Sequence, residues 1–169
     1  MRKLEIYLKM YVKKISCKNL QKDIEKLNID HVLSFNYTDT YERLYDNKNV
    51  EYSYIHGKAN IKSRLENNNM VLGIDEYLKG EDVDNDINFV SFKKYYQRIV
   101  KDDDNNYMIW INDILFQCQR HKDIIKYNQE KQLPYNRFSE TESHKLYIFG
   151  HSLDITDKDI IRDLIMNDN

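Results

Sequence analysis

Three short strings each place polar groups at the end of an apolar run: SFNYTDT at 34–40, YIHG at 54–57 and YIFGHSLDITD at 147–157. Asn36 offers both a donor and an acceptor, suited to fixing a ribose hydroxyl or a water, and Tyr37 and Thr38 follow it. A histidine titrates near neutral pH and takes a proton from a hydroxyl or an attacking water, which makes His56 the candidate general base. Gly57 lets the backbone turn away or a ligand approach. In the third string Ser152 and the N–H groups of the turn from Gly150 can hold a hydroxyl or phosphate. Each residue also has a purely structural reading: Asn36 stabilises a turn, His56 is hydrogen-bonded at a strand end, and Gly150 to Leu153 form a helix-entry turn with Asp154 or Thr156 as cap and Asp157 favouring the helix N-terminus.

The elements that must position these groups are legible in the apolar spacing. Leu4, Leu8, Tyr11 and Ile15, then Leu20, Ile24 and Leu27 after Asn19, predict two amphipathic leading helices over residues 1–28. His31 to Phe35 and Val50 to Ile55 read as strands, the second with Val50, Tyr52 and Tyr54 on one face. Between them Thr38 can cap a helix with Tyr41, Leu44 and Tyr45 facing inward, which makes a βαβ unit. Met70 to Ile74 reads as a third strand. Phe89, Phe92, Tyr96 and Ile99 predict one helix, with Lys93, Lys94 and Arg98 toward solvent, and Met108, Ile111, Leu115, Cys118 and Ile125 predict another. The acidic stretches around 81–86 and 101–106 read as exposed loops, and the polar segment 129–143, with the only proline, as a long connection. Lys145 to Phe149 is the last expected strand, followed by a T-x-x-D start at Thr156 for a closing helix carrying Ile160, Ile161, Leu164 and Ile165.

Composition excludes several classes. Lys and Arg total 26 against 28 Asp and Glu in 169 residues, a net charge of −2, so bulk electrostatics argues against nucleic-acid binding. Cys17 and Cys118 fit neither a disulfide framework nor a zinc module, and His31, His121 and His144 show no ligand spacing, so no metal is expected. No apolar run approaches the length of a membrane span and no signal peptide is evident, which makes the cytoplasm the expected location. Ser152 lacks the G-x-S-x-G elbow of a serine hydrolase.

The strings Phe35 to Thr38, Tyr54 to Gly57, Val71 to Gly73, and Gly150 to Leu153 with Asp157 resemble, in this order, those of the AbiH family of bacterial phage abortive-infection proteins. FKKYYQRI at 92–99 is similar to a segment that recurs there. Through an Asn after a strand, a His-Gly pair and a G-x-S-L string, the family looks distantly like SIR2-like (sirtuin-like) NAD-binding domains. Where sirtuin-like chains carry an Asp two residues after the Asn, Thr38 stands here, with Asp39 one further on, as in the AbiH pattern. The Gly-rich opening strand of such proteins has no counterpart among Gly57, Gly73, Gly80 and Gly150.

The resemblance implies a Rossmann-like α/β fold, a mostly parallel sheet flanked by helices, incomplete at the N-terminus, with residues 29–169 as the C-terminal portion of a longer family member. It implies an abortive-infection role with NAD as substrate, Asn36 and His56 catalytic, and Phe35, Tyr37, Thr38, Gly57, Gly150, His151, Ser152 and Asp157 around the nucleotide. The expected reaction is NAD glycohydrolysis in the intact protein. A second reading makes the chain a non-catalytic remnant, or a subunit that needs an N-terminal partner chain or self-association. A third, a nuclease-like toxin, would need Asp39, Asp75 and Asp157 to hold Mg²⁺.

Overall fold

The computed structural model describes residues 2–46, 49–62, 67–73, 90–101, 105–132, 144–153 and 157–165. The chain divides into two compact units, Met1–Asn105 and Asn106–Asn169.

In the first unit α1 (Arg2–Met10) leads through a short 3-10 turn, Val12–Lys14, to α2 (Lys22–Glu25). The leading pair of helices is therefore shorter than the apolar spacing predicts: Tyr11, Ile15 and Leu20 are exposed, and α2 is a single turn. What α1 buries is Glu5, 1% exposed, whose carboxylate accepts from the Asn60 N–H at 3.2 Å and meets Arg2 at 3.4 Å, while Arg2 also donates to the Ile61 carbonyl. A buried carboxylate is tolerated only when charge and N–H groups answer it, and here both do.

The sheet consists of β1 (His31–Ser34) and β2 (Glu51–Tyr54), parallel, with His31 opposite Glu51 and Ser34 opposite Tyr54. Helix α3 (Thr40–Tyr45) lies between them in sequence, as a parallel connection requires. Asp39 occupies the N-cap, one residue beyond the Thr38 expected there, and makes no side-chain capping bond because Lys13 holds its carboxylate at 2.7 Å. Thr38 instead meets Thr40 through their hydroxyls at 2.9 Å. Within β2 the buried residue is Ser53, so the inner face of the strand is the one opposite Tyr52 and Tyr54.

The segment expected as a third strand, 70–74, is not one over its described residues, 70–73, although Met70 and Val71 are fully buried. Most of its backbone bonds go to side chains rather than to a neighbouring strand. The Val71 N–H donates to the His56 carbonyl at 2.9 Å, the Tyr37 hydroxyl to the Val71 carbonyl at 2.6 Å, the Leu72 N–H to Gln97 Oε1 at 3.0 Å, and Lys101 to the Met70 carbonyl. Burial without an adjacent ladder gives an ordered extended segment, not a strand. Gln97 and Lys101 belong to α4 (Lys94–Val100) and its C-cap.

In the second unit α5 (Asn106–Glu130) buries Tyr107 and Ile111 at its first turns, and α6 (Lys158–Ile165) buries Ile160. The expected strand at 145–149 forms no ladder among the described residues, and Leu146, Tyr147, Ile148 and Phe149 are all exposed. The mixed helix and strand content agrees with the sequence, and the sheet among the described residues has two parallel strands. The acidic stretch 81–86 and most of the connection 129–143 lie outside the described residues, as do Asp154 to Thr156. No described helix is long and apolar enough to cross a membrane.

Candidate functional site at the ends of the parallel strands

The chain leaves β1 and β2 at the same end of the sheet, the end where open α/β sheets place their ligands. From β1 come Phe35, Asn36, Tyr37 and Thr38, and from β2 come Ile55, His56 and Gly57. The Ala59 N–H donates to the Tyr37 carbonyl at 2.8 Å, which joins the two turns directly. The rings of Phe35 and Tyr37 lie 5.7 and 6.4 Å from the His56 imidazole, the first edge-on. The 70–73 segment closes over them through the bonds from Val71 and Tyr37. Three strings, at 35–38, 54–57 and 71–73, thus form one cluster in the first unit.

Within this cluster the side chains divide by exposure. Asn36 is exposed, its N–H tied to Ser34 Oγ at 3.2 Å, and Thr38 is half-buried. His56 is 3% exposed, and its Nε2 lies 3.4 Å from Lys94 Nζ at the start of α4. An ammonium only donates, so in this contact the ring nitrogen accepts. Gly57 has φ +73°, and a Cβ there would come within 2.2 Å of the Asn69 carbonyl oxygen. Gly73 permits a second close approach: a Cβ on it would sit 2.4 Å from the Lys94 backbone.

Charged groups gather at the same strand ends. Lys58 reaches Glu42 at 2.5 Å, and the Tyr54 hydroxyl donates to the same carboxylate at 2.9 Å. Burial, then the bond to Glu42, raises the Tyr54 phenol far above its ordinary value, so it stays a donor. Burial pushes the Asp39 carboxyl up, but the hydrogen bond and charge of Lys13, with Lys9 and Lys58, outweigh it and leave Asp39 below its ordinary value. Glu42 is lowered chiefly by its bond to Lys58. Lys9 is lowered by burial and by the charge of Lys13.

Sequence reasoning missed Lys94. It assigned the lysines of FKKYYQRI to solvent and Phe92, Tyr96 and Ile99 to the core, and the structure reverses this: those three are exposed, whereas Lys93, Lys94 and Arg98 are half-buried. The helix begins only at Lys94, after an extended N-cap at Lys93, so Phe92 does not share its face, and a pattern read across the helix start cannot give the right side.

The fourth string lies in the second unit. Gly150 and Leu153 both have positive φ, +62° and +54°, which shapes a tight turn. The Leu153 N–H donates to His151 Nδ1 at 2.8 Å, so the ring proton resides on Nε2, 3.8 Å from Asp157 Oδ2. Asp157 is 5% exposed and Ser152 is exposed. His151 therefore ties the turn to Asp157, and Ser152 is exposed beside it. Among the described residues no group of three His, Cys, Asp or Glu side chains gathers as a metal site would require, and Asp75 lies outside them.

Comparison with curated proteins and with solved structures returns no match. A family model does match, over residues 1–169, as the resemblance of the four strings implied. The chain belongs to the bacteriophage abortive infection AbiH family.

Proposed function

We propose that this abortive-infection protein binds a nucleotide at the ends of β1 and β2 and that NAD is its substrate, hydrolysed at the bond between nicotinamide and ribose. Family membership supports the role in phage abortive infection. The observation that carries the finer reading is the meeting of the Asn36 turn with the His56-Gly57 turn at the ligand end of a parallel strand pair. In this reading water adds to C1′ as the glycosidic bond breaks, giving nicotinamide, ADP-ribose and one proton. The leaving step passes through an oxocarbenium-like state, so orienting the ribose and guiding one water do most of the work. Asn36, exposed at the strand end, orients the ribose or the water, Thr38 stands beside it, and His56 supplies the imidazole behind them. Nicotinamide release by the purified chain tests this: the expected result is turnover that Asn36→Ala and His56→Ala each abolish, and absence of turnover in the wild type refutes hydrolysis.

One observation favours a second reading, a subunit that acts only in association. Phe92, Tyr95 and Ile99 in the first unit, and separately the run Leu146 to Phe149 in the second, are exposed apolar groups of the kind that association covers. Light scattering decides it: a stable monomer would count against association, and a dimer or larger species supports it.

A further inference from the structure

We propose that Lys9 and Lys13, flanked by Lys58, form an oxyanion subsite beside the strand ends and that a phosphate group is what it takes. That the phosphate belongs to a nucleotide rests on the reading above; the subsite itself rests on how the charges are placed. Four cationic side chains come together from separate parts of the first unit: Lys9 on the last turn of α1, Lys13 in the 3-10 turn, Arg43 on α3 and Lys58 just after the Gly57 turn. Two carboxylates stand against them. Asp39, where the chain has just left β1, is held by Lys13 at 2.7 Å, and Glu42 by Lys58 at 2.5 Å. Arg43 is bonded to backbone instead, donating to the carbonyls of Lys13 and Ile15. Lys9 pairs with no carboxylate among the described residues, and its ammonium lies beside that of Lys13.

Two ammonium groups side by side repel, the more so where neighbouring protein keeps part of the water away. Burial and the Lys13 charge both hold Lys9 below its ordinary value, and Asp39 alone pulls it the other way. Tyr54, which also meets this cluster, stays a neutral donor to Glu42 and adds no negative charge. Positive charge is therefore in excess at the ligand end of the parallel strands. A like-charge conflict kept in place by the surrounding fold is characteristic of binding sites. A phosphate would resolve it, because each lysine presents a compact point charge with three donors to an oxyanion. The cluster is also open in the right sense: the Lys13 side chain is 40% exposed and Asp39 beneath it only 16%, so an arriving anion meets the ammonium before the carboxylate. At Lys58 it must compete with Glu42, which is as open as the lysine it holds, so Lys58 contributes less than Lys9.

Calorimetric titration of the purified chain with inorganic pyrophosphate, and in parallel with ADP-ribose, tests the assignment. Lys9→Gln keeps a donor but removes the charge, and is expected to weaken binding by about ten- to a hundred-fold. Lys9→Arg should bind to within a few-fold of the wild type. Lys122→Met, which removes the same charge from an exposed position on α5, should bind as the wild type does. Thermal melting without probe separates binding from a structural role: removing Lys9 relieves its repulsion with Lys13, so Lys9→Gln should melt at or above the wild-type temperature. Wild-type affinity in Lys9→Gln, an equal loss in Lys122→Met, a Lys9→Gln protein that melts below the wild type, or no binding of either probe by the wild type overturns the inference. ADP-ribose binding that survives Lys9→Gln unchanged sinks the subsite and leaves the nucleotide reading intact. Lys9-dependent binding of pyrophosphate without binding of ADP-ribose does the reverse, keeping the subsite for a free anion, and Lys9-dependent binding of both supports a nucleotide phosphate.

Discussion

Gly57 and Gly150 share a left-handed backbone, φ +73° and +62°, but not an environment, and substituting each by alanine separates the two costs. The backbone term is common to both, about 1–2 kcal/mol for an L-residue in this region. At Gly150 nothing lies within 4 Å of the added methyl, so that term is the whole effect. At Gly57 the methyl would stand 2.2 Å from the Asn69 carbonyl oxygen and 2.5 Å from its carbon, both backbone atoms that no rotamer change removes. Displacing them adds an overpacking cost of roughly 1–3 kcal/mol, for a total of about 2–5 kcal/mol. Because the Gly57 turn also carries His56, whose carbonyl holds Val71, the strain should loosen the cover over the imidazole. Urea unfolding followed by amide exchange at Ile55 and Val71 in Gly57→Ala, and at Leu153 in Gly150→Ala, reads each unit locally. Equal destabilisation of the two variants, or a Gly57→Ala protein with wild-type exchange at Val71, would show that the close approach to Asn69 is not what fixes this turn.

Other outcomes follow from single contacts. Tyr37→Phe removes the donor to the Val71 carbonyl and should cost about 1–2 kcal/mol in urea unfolding, with faster exchange at the Val71 amide. The Lys13–Asp39 pair gives a pH signature. Asp39 lies below its ordinary value of 3.8 when folded, so its contribution is present above that value and lost as pH falls through the lower folded one; Lys13 is raised above 10.5, so its contribution is lost as pH rises through the higher folded value. The stability difference between wild type and Lys13→Met should therefore be flat from about pH 5 to 9 and close at both extremes, as thermal melts across pH would record. His151→Ala removes both the acceptor for the Leu153 N–H and the partner of Asp157, and should cost roughly 1–3 kcal/mol with loss of amide protection at Leu153.

The parts legible in the sequence were those governed by short-range pattern. The runs at 31–35 and 50–55 predicted β1 and β2, and the strings at their ends predicted which residues leave the sheet together. Where the sequence misled, long-range bonds decided. Met70 to Gly73 looks like a strand because it is apolar, yet its backbone is answered largely by Tyr37, Gln97 and Lys101, three side chains whose arrival no local window can show. Glu5 breaks the amphipathic reading of α1 because its partners, Arg2 and the Asn60 N–H, include one 55 residues away. Lys94 was hidden for a similar reason: periodicity assigns a charged residue on a short helix to solvent, whereas the contacts that seat this helix, Gly73 against its first residue and Gln97 and Lys101 with Leu72 and Met70, come from a segment more than twenty residues away. The family strings located the strand-end cluster but carried no sign of which of its residues lies deep and which lies at the surface.

The central claim is that the ends of β1 and β2 bind a nucleotide. Titration of isotopically labelled chain with ADP-ribose, followed by amide chemical shifts, tests it most directly. Saturable shifts at Asn36, Thr38, Gly57 and Lys58, larger than those on the exposed face of α5 from Phe116 to Tyr127, are the predicted result. A titration that leaves these four amides unmoved would contradict the account.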